Sequence, residues 1–274
     1  MKVTCVVDNT AGGGSFWSEH GLSFLIETEE GSRVLFDTGQ SGTVLLHNLA
    51  ELKIDPKEIQ ALALSHGHKD HTGGLEVLLE QSPGFPLYAH PTLFQGHFAR
   101  RDEKVESIGL SLAREALAAR AEVRLSAEPA EITPGVWTTG EITSRPEPEG
   151  RSDRHLVREG EGWAPDPYRD DLSLVLHTAQ GLVLLCGCCH AGLLNTLAHV
   201  RRTFGGELVA VAGGTHLGST DEVYLEHVAT VLRQEYNSPR LHLNHCTGEK
   251  ARFALVRAFG EGVRSYPTGT VLSF

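Results

Sequence analysis

At 274 residues with 40% hydrophobic side chains, the chain is long enough for one layered domain with a sizeable core. Its 24 basic against 35 acidic residues leave a net charge of −11, which argues against non-specific binding to nucleic acid or to an anionic membrane. No apolar run approaches membrane-spanning length, and residues 1–8 read as a strand too short for a secretory core, so a cytoplasmic protein is expected.

Residues 3–7 are apolar and β-branched and predict a strand; residues 9–20 are glycine-rich and predict a loop. Residues 22–28 and 33–36 flank Glu29-Glu30-Gly31-Ser32 and predict a hairpin. Val44, Leu45, Leu49 and Leu52 lie at helical spacing, ended near Asp55-Pro56. An apolar strand over 59–64 then runs into Ser65-His66-Gly67-His68-Lys69-Asp70-His71-Thr72-Gly73-Gly74, and a helix follows over 75–80. A short strand at 87–89, a helix at 107–119 and a strand at 122–125 complete the first half.

The second half opens with a strand at 136–139. Residues 144–171 are rich in proline, glycine and charge, with too little apolar content for a core element; they predict a loop of the lid type over a site. The lid's arginines (Arg145, Arg151, Arg154, Arg158, Arg169) either meet an anionic substrate or balance neighbouring acids. Residues 172–177 and 182–186 bracket Ala179-Gln180-Gly181 as a second hairpin. A helix at 191–204, a strand at 208–212, a helix at 221–236, a strand at 240–243 and a helix at 249–259 with Thr247 as its cap come next. Strands at 262–265 and 271–274 end the chain. Each half runs strands, a donor-bearing turn, then helices. An α/β fold of αββα four-layer sandwich type, one domain over 1–274, fits that order.

The decapeptide at 65–74 sets three imidazoles and a carboxylate within six residues, and these are the usual nitrogen and oxygen donors for zinc, iron or manganese. In an extended segment residues two apart share a side, so His66 and His68 reach one metal. Asp70 and His71 follow as the chain bends into a helix and point to a second position nearby. Gly67 lets the turn approach closely, and the amides at Gly73-Gly74 are expected to be free for an anion. Later strands end in donors in the same way: Cys186-Gly187-Cys188-Cys189-His190, Gly213-Gly214-Thr215-His216 and Asn244-His245-Cys246. The best first set is His66, His68 and His190; the best second set is Asp70, His71 and His245, with Cys188 as a further or bridging ligand. His216 is expected to touch substrate or donate a proton, ahead of ligating. His20 is undecided, and His47, His199 and His227 fall on helical patterns as surface or packing residues. The five cysteines are odd in number and cluster beside histidines, which points to a reduced compartment and metal contact, with Cys5 and Cys186 as small buried strand residues.

The His-x-His-x-Asp-His run, the early strands at 21–27 and 34–39 and the three later donor turns resemble the metallo-β-lactamase superfamily, whose αββα sandwich is thereby implied. In that family an Asp at the position of Asp37 buttresses the metal loop. The Gly-Cys-x-His-x-Gly, Gly-Gly-x-His-Leu and His-Cys-Thr-Gly set is similar to the subgroup named for an archaeal dihydropterin ribofuranosylaminobenzene phosphate synthase. Two departures stand out. Most members carry a bridging Asp in a Gly-Asp pair where this chain has Gly187-Cys188, and the usual Pro-Gly-His element is absent, the nearest text being Asp166-Pro167-Tyr168-Arg169-Asp170-Asp171. The resemblance implies a metalloenzyme with one or two ions, zinc first, iron or manganese otherwise. It would act on a small anionic phosphate or ester as such a synthase, or as a hydrolase of a phosphodiester, lactone or thioester. A metal or redox sensor is the reading from another class. The sequence carries no signal of oligomeric state.

Overall fold

A computed structural model of the chain describes residues 1–274. Two seven-stranded sheets face each other. The first runs, edge to edge, Val271–Ser273, Lys2–Val7, Ser23–Glu27, Arg33–Phe36, Ala61–Ala63, Pro86–Ala89 and Glu122–Leu125. The second runs Val263–Ser265, Arg240–Leu243, Leu208–Gly213, Gly181–Cys186, Ser173–Thr178, Val136–Thr138 and Glu131–Thr133.

Strand alternation builds the layers. Phe24, Ile26, Val34 and Phe36 of the first sheet meet Leu174, Leu176, Val183 and Leu185 of the second in the central core. The alternate residues Leu25 and Leu35 turn outward against Leu45, Leu49, Leu75 and Leu78 of the helices Gly42–Glu51 and Leu75–Gln81. On the far side Val175, Leu184 and Val211 pack under Leu193–Phe204, Glu222–Glu235 and Glu249–Phe259. Both faces of the central strands are therefore dry, which is why those strands read as nearly continuous apolar runs. The αββα layering expected from the sequence is present. No helix is long and apolar enough to cross a membrane.

Four local expectations change. The helix expected over 107–119 shrinks to Arg114–Ala118, because Ser107 pairs with Phe98 and Gly109 bridges His68. Residues 98–101 and 104–107 form an unexpected hairpin. Thr247 does not cap the helix after it; Gly248 precedes that helix without a side-chain bond, and the Thr247 hydroxyl instead accepts from the Thr215 amide at 3.2 Å. The Gly73 amide is not free for an anion, since it donates to the Lys69 and Gly39 carbonyls at 2.7 and 3.0 Å.

Segment 144–171 is not a featureless loop. It carries the hairpin His155–Glu159 and Gly162–Pro165, which joins the 98–107 hairpin in a four-stranded sheet above the rim of the sandwich. Leu156, Val157 and Tyr168 are buried, so a few apolar residues anchor a mainly polar segment.

Candidate metal centre

Asp37, His66, Cys188, His190, His216 and His245 all lie just past the carboxyl ends of core strands, on one rim. Chain reversal there bends the backbone sharply. Asp37, Tyr168, Cys189, His216 and His245 all adopt positive φ, between 46° and 61°, a conformation that costs side-chain-bearing residues energy and that tends to concentrate at functional sites.

The hydrogen bonds at this rim decide which nitrogen of His66, His71, His190 and His245 is free. Asp37 is wholly buried and accepts from the Ser65 amide and the Ser65 hydroxyl, each at 2.7 Å. Because that hydroxyl donates to Asp37, its oxygen accepts from His66 Nδ1 at 2.8 Å, leaving the His66 Nε2 lone pair unengaged. His190 Nδ1 donates to the Gly150 carbonyl at 2.7 Å, so its Nε2 is also unengaged. The Nε2 atoms of His66, His68 and His190 are buried without a hydrogen-bond partner. One ring nitrogen from each of the three residues lies within 4.8 Å of the others. Burial, with the neighbouring imidazoles, holds all three well below the ordinary histidine pKa. Neutral imidazoles converging with free lone pairs in a dry pocket suit a cation.

A second set adjoins the first. His71 Nδ1 donates to Asp37 Oδ2 at 2.7 Å, and His245 Nδ1 donates to Asn9 Oδ1 at 2.9 Å. Their Nε2 atoms then face each other at 3.2 Å. His71 Nε2 is also 3.3 Å from Cys188 Sγ and 3.6 Å from Asp70 Oδ2, and His245 Nε2 is 3.4 Å from the same carboxylate oxygen. Electron pairs so arranged repel unless a proton or a metal ion sits among them. A tetrahedral zinc with bonds of about 2.0–2.1 Å would space its ligands about 3.3 Å apart, close to these separations. A proton is the smaller alternative: burial disfavours it on His71, but the Asp70 and Asp37 carboxylates outweigh burial and raise His71 to about 9. Burial pushes the Cys188 thiol up, so ionising it takes a cation beside it. Cys188 also groups with His66 and His71, which places it between the two sets.

The other donors fall into place around these. His216 belongs to neither set; its ring centroid is 4.5 Å from that of His190, on the cleft wall. His20, largely exposed, lies 3.3 Å from Asp70 Oδ2. Cys5, Cys186 and Cys189 are buried in the core. His47 stacks on Trp17, His199 bonds the Thr139 carbonyl and His227 meets Glu147. Of the lid arginines, Arg145 and Arg151 pair with Glu149, Arg169 with Glu141, and Arg158 lies over Trp163. Arg154 alone of the five reaches the cleft.

Several supporting residues carry no motif and were missed. His97 bonds Asp166 at 2.6 Å and Asp170 at 3.1 Å, and Asp170 in turn accepts from the Gly67 amide at 2.7 Å. This buried triad backs the turn between His66 and His68. A Cβ on Gly67 would sit 2.8 Å from the His97 ring, which is why that turn needs glycine. Burial disfavours charge on His97, but Asp170 and Asp166 raise it to about 10. Raised above its unfolded value of about 6.5, His97 contributes stability that is full below that pH and is lost as pH rises through 10. Asp170→Asn is expected to cost about 3 kcal/mol, since it breaks a buried ion pair, and to flatten this alkaline loss. Urea midpoints measured between pH 6 and 10 on metal-free protein check both; an unchanged alkaline slope would contradict the triad's charge state.

The sets form the floor of a cleft of about 730 Å³, roofed by the four-stranded sheet. His155, also unforeseen, hangs from that roof with its ring centroid 5.1 Å from His68. The Tyr168 hydroxyl accepts from the Ser152 amide at 3.3 Å and shares a hydrogen bond with His155 Nδ1 at 2.8 Å. His155 Nε2 makes no bond within the protein and opens to the cleft.

The model of the metallo-beta-lactamase superfamily matches residues 19–191. The chain is 31% identical, over its whole length and 97% of the relative, to 7,8-dihydropterin-6-methyl-4-(beta-D-ribofuranosyl)-aminobenzene-5'-phosphate synthase of Methanocaldococcus jannaschii. Tm1679, a metal-dependent hydrolase of the beta-lactamase superfamily, superposes with a TM-score of 0.85 at 26% identity, over 100% of this chain and 99% of that one. Zn(2+)-bound PqqB from Methylobacterium extorquens shares the fold at a TM-score of 0.59 and 15% identity, with full coverage of both chains. Matched by the family model over residues 19–191 and to such relatives along its whole length, with two facing sheets and helices outside them, the chain belongs to the metallo-beta-lactamase superfamily.

Proposed function

We propose that the protein is a metal-dependent enzyme acting on a small anionic phosphate or ester at a paired metal centre. His66, His68 and His190 hold one ion, and Asp70, His71, His245 and Cys188 hold the other. The observation that carries this reading is the convergence of unengaged imidazole lone pairs, a carboxylate and a thiol in two adjoining sets on the floor of one cleft. Zinc suits the mixed imidazole and thiolate donors best; iron and manganese are the alternatives. When bound, such ions supply Lewis acidity to a departing phosphate or an ester oxygen and lower the pKa of water.

The chain's own groups bind and orient. Asp37 fixes the free nitrogen of His66 through Ser65 and of His71 directly. His216 and His155 line the approach, where each can hydrogen-bond substrate. The full-length similarity to the archaeal synthase supports a transfer reaction. In it an arylamine nitrogen bonds to a pterin methylene carbon as the carbon–oxygen bond to a diphosphate breaks, and the nitrogen loses its proton to water. The likeness to Tm1679 at 26% identity supports the second reading, hydrolysis of a small anionic ester.

Protein purified without added metal, analysed for its metal content and then assayed, separates the two. Diphosphate release that requires an arylamine supports the synthase; turnover of a phosphodiester or lactone without an amine supports the hydrolase. Metal binding with no turnover of either kind leaves a sensor and ends the enzymatic proposal.

A further inference from the structure

In a chain of net charge −11, the cleft is lined by four cations, Lys69, Arg100, Arg101 and Arg154, against the acids Asp70 and Glu106. None of the four forms an ion pair, while Arg145, Arg151 and Arg169 of the adjoining segment are all consumed by carboxylates. Their placement follows from the roof sheet. Phe98–Arg101 pairs antiparallel with His155–Glu159, with His155 opposite Ala99. Side chains two apart share a face, so Arg101 lies on the face that carries His155 toward His68. Arg154 sits beside it in the turn before His155, its carbonyl accepting from the Arg100 amide at 2.8 Å. His155, tethered to the Tyr168 hydroxyl through Nδ1, adds its Nε2 between this rim and the floor. Glu106, opposite Ala99, is the acid on the same wall and leaves the cationic excess in place.

We infer that the roof of the cleft is a second anion subsite, in which Arg101 and Arg154, with His155 beside them, take a phosphate or carboxylate distant from the reacting end of the ligand. Guanidinium forks bind such groups bidentately, and a cleft between two walls screens them less than open surface does. The site would select doubly anionic ligands, one group toward the floor and one at the roof, over neutral or singly charged esters. The near end of that ligand rests on the proposed metal centre; the roof subsite does not.

The test titrates the full chain, metal-loaded and metal-free, with phenyl phosphate and with α,ω-alkanediol bisphosphates whose spacers run over about two to eight methylenes. Metal-loaded protein is expected to bind one bisphosphate about tenfold tighter than phenyl phosphate. The double variant Arg101→Ala/Arg154→Ala closes that gap with metal content, read by elemental analysis, unchanged; the double lysine variant falls between. In metal-free protein phenyl phosphate binds at the roof only and is lost in the alanine variant. Failure to load metal would remove the metal-centre reading while this arm still decides the roof. A wild-type protein without a bisphosphate preference, or an alanine variant that keeps it, overturns the subsite. Both arginines are exposed, so the variants are expected to fold.

Discussion

Replacing His68 by alanine is expected to abolish turnover and to lower metal content, with the loss confined to metal-loaded behaviour. His68 is buried, and its Nε2 has no partner among protein atoms. Truncating it in metal-free protein removes packing against His97 and His155 but also a desolvated, unsatisfied nitrogen, and these oppose each other. The metal-free melting temperature should therefore change little. The metal-loaded protein behaves differently, because ions that bind only the folded state add stability. Changes to groups that merely orient ligands cost about 10–100-fold in metal affinity. Loss of a direct donor should exceed that range, and metal-induced stabilisation should shrink with it. Elemental analysis and melting curves with and without zinc read both effects; a variant that keeps full metal content and full activity would remove His68 from the site.

Asp37→Ala is expected to be the most damaging change to a residue outside both donor sets. One buried carboxylate satisfies the Ser65 amide, the Ser65 hydroxyl and His71 Nδ1, and through Ser65 it also sets the free nitrogen of His66. Removing it strands these buried donors, at a cost of about 3–5 kcal/mol. It also unfixes imidazoles in both donor sets at once. Asp37→Asn keeps the shape and an acceptor but can serve only some of these donors, so it should fold and still lose metal affinity by about 10–100-fold. Gly187 belongs to the same lock, since a Cβ there would sit 2.4 Å from the Ser65 hydroxyl oxygen. Urea unfolding of metal-free protein gives the stability cost, and a chelator competition gives the affinity. Wild-type metal affinity in Asp37→Asn would show that the tautomer lock is not needed.

The sequence alone was enough for the layered fold and the cluster at 65–74, because both rest on local patterns. Strands dry on both faces read as apolar runs, and His66, His68, Asp70 and His71 announce themselves by spacing two, four and five residues along one chain. His190, His216 and His245 were picked out because each follows an apolar strand, and a strand's carboxyl end at the rim is a local feature too. What stayed hidden was everything that acts through space. His97, Asp166 and Asp170 form a triad across 69 and 73 residues, Asn9 orients His245 across 236, and no spacing rule links such positions. The hairpins at 98–107 and 155–165 defeated composition because half of each strand faces solvent or the cleft, so their polarity looked like a loop's. Sequence thus determined which donor residues exist and the class of fold that carries them. Tertiary structure decided which nitrogens are free and which arginines are spent, because a tautomer or an ion pair is fixed by the partner that packing brings within about 3 Å, not by neighbours along the chain.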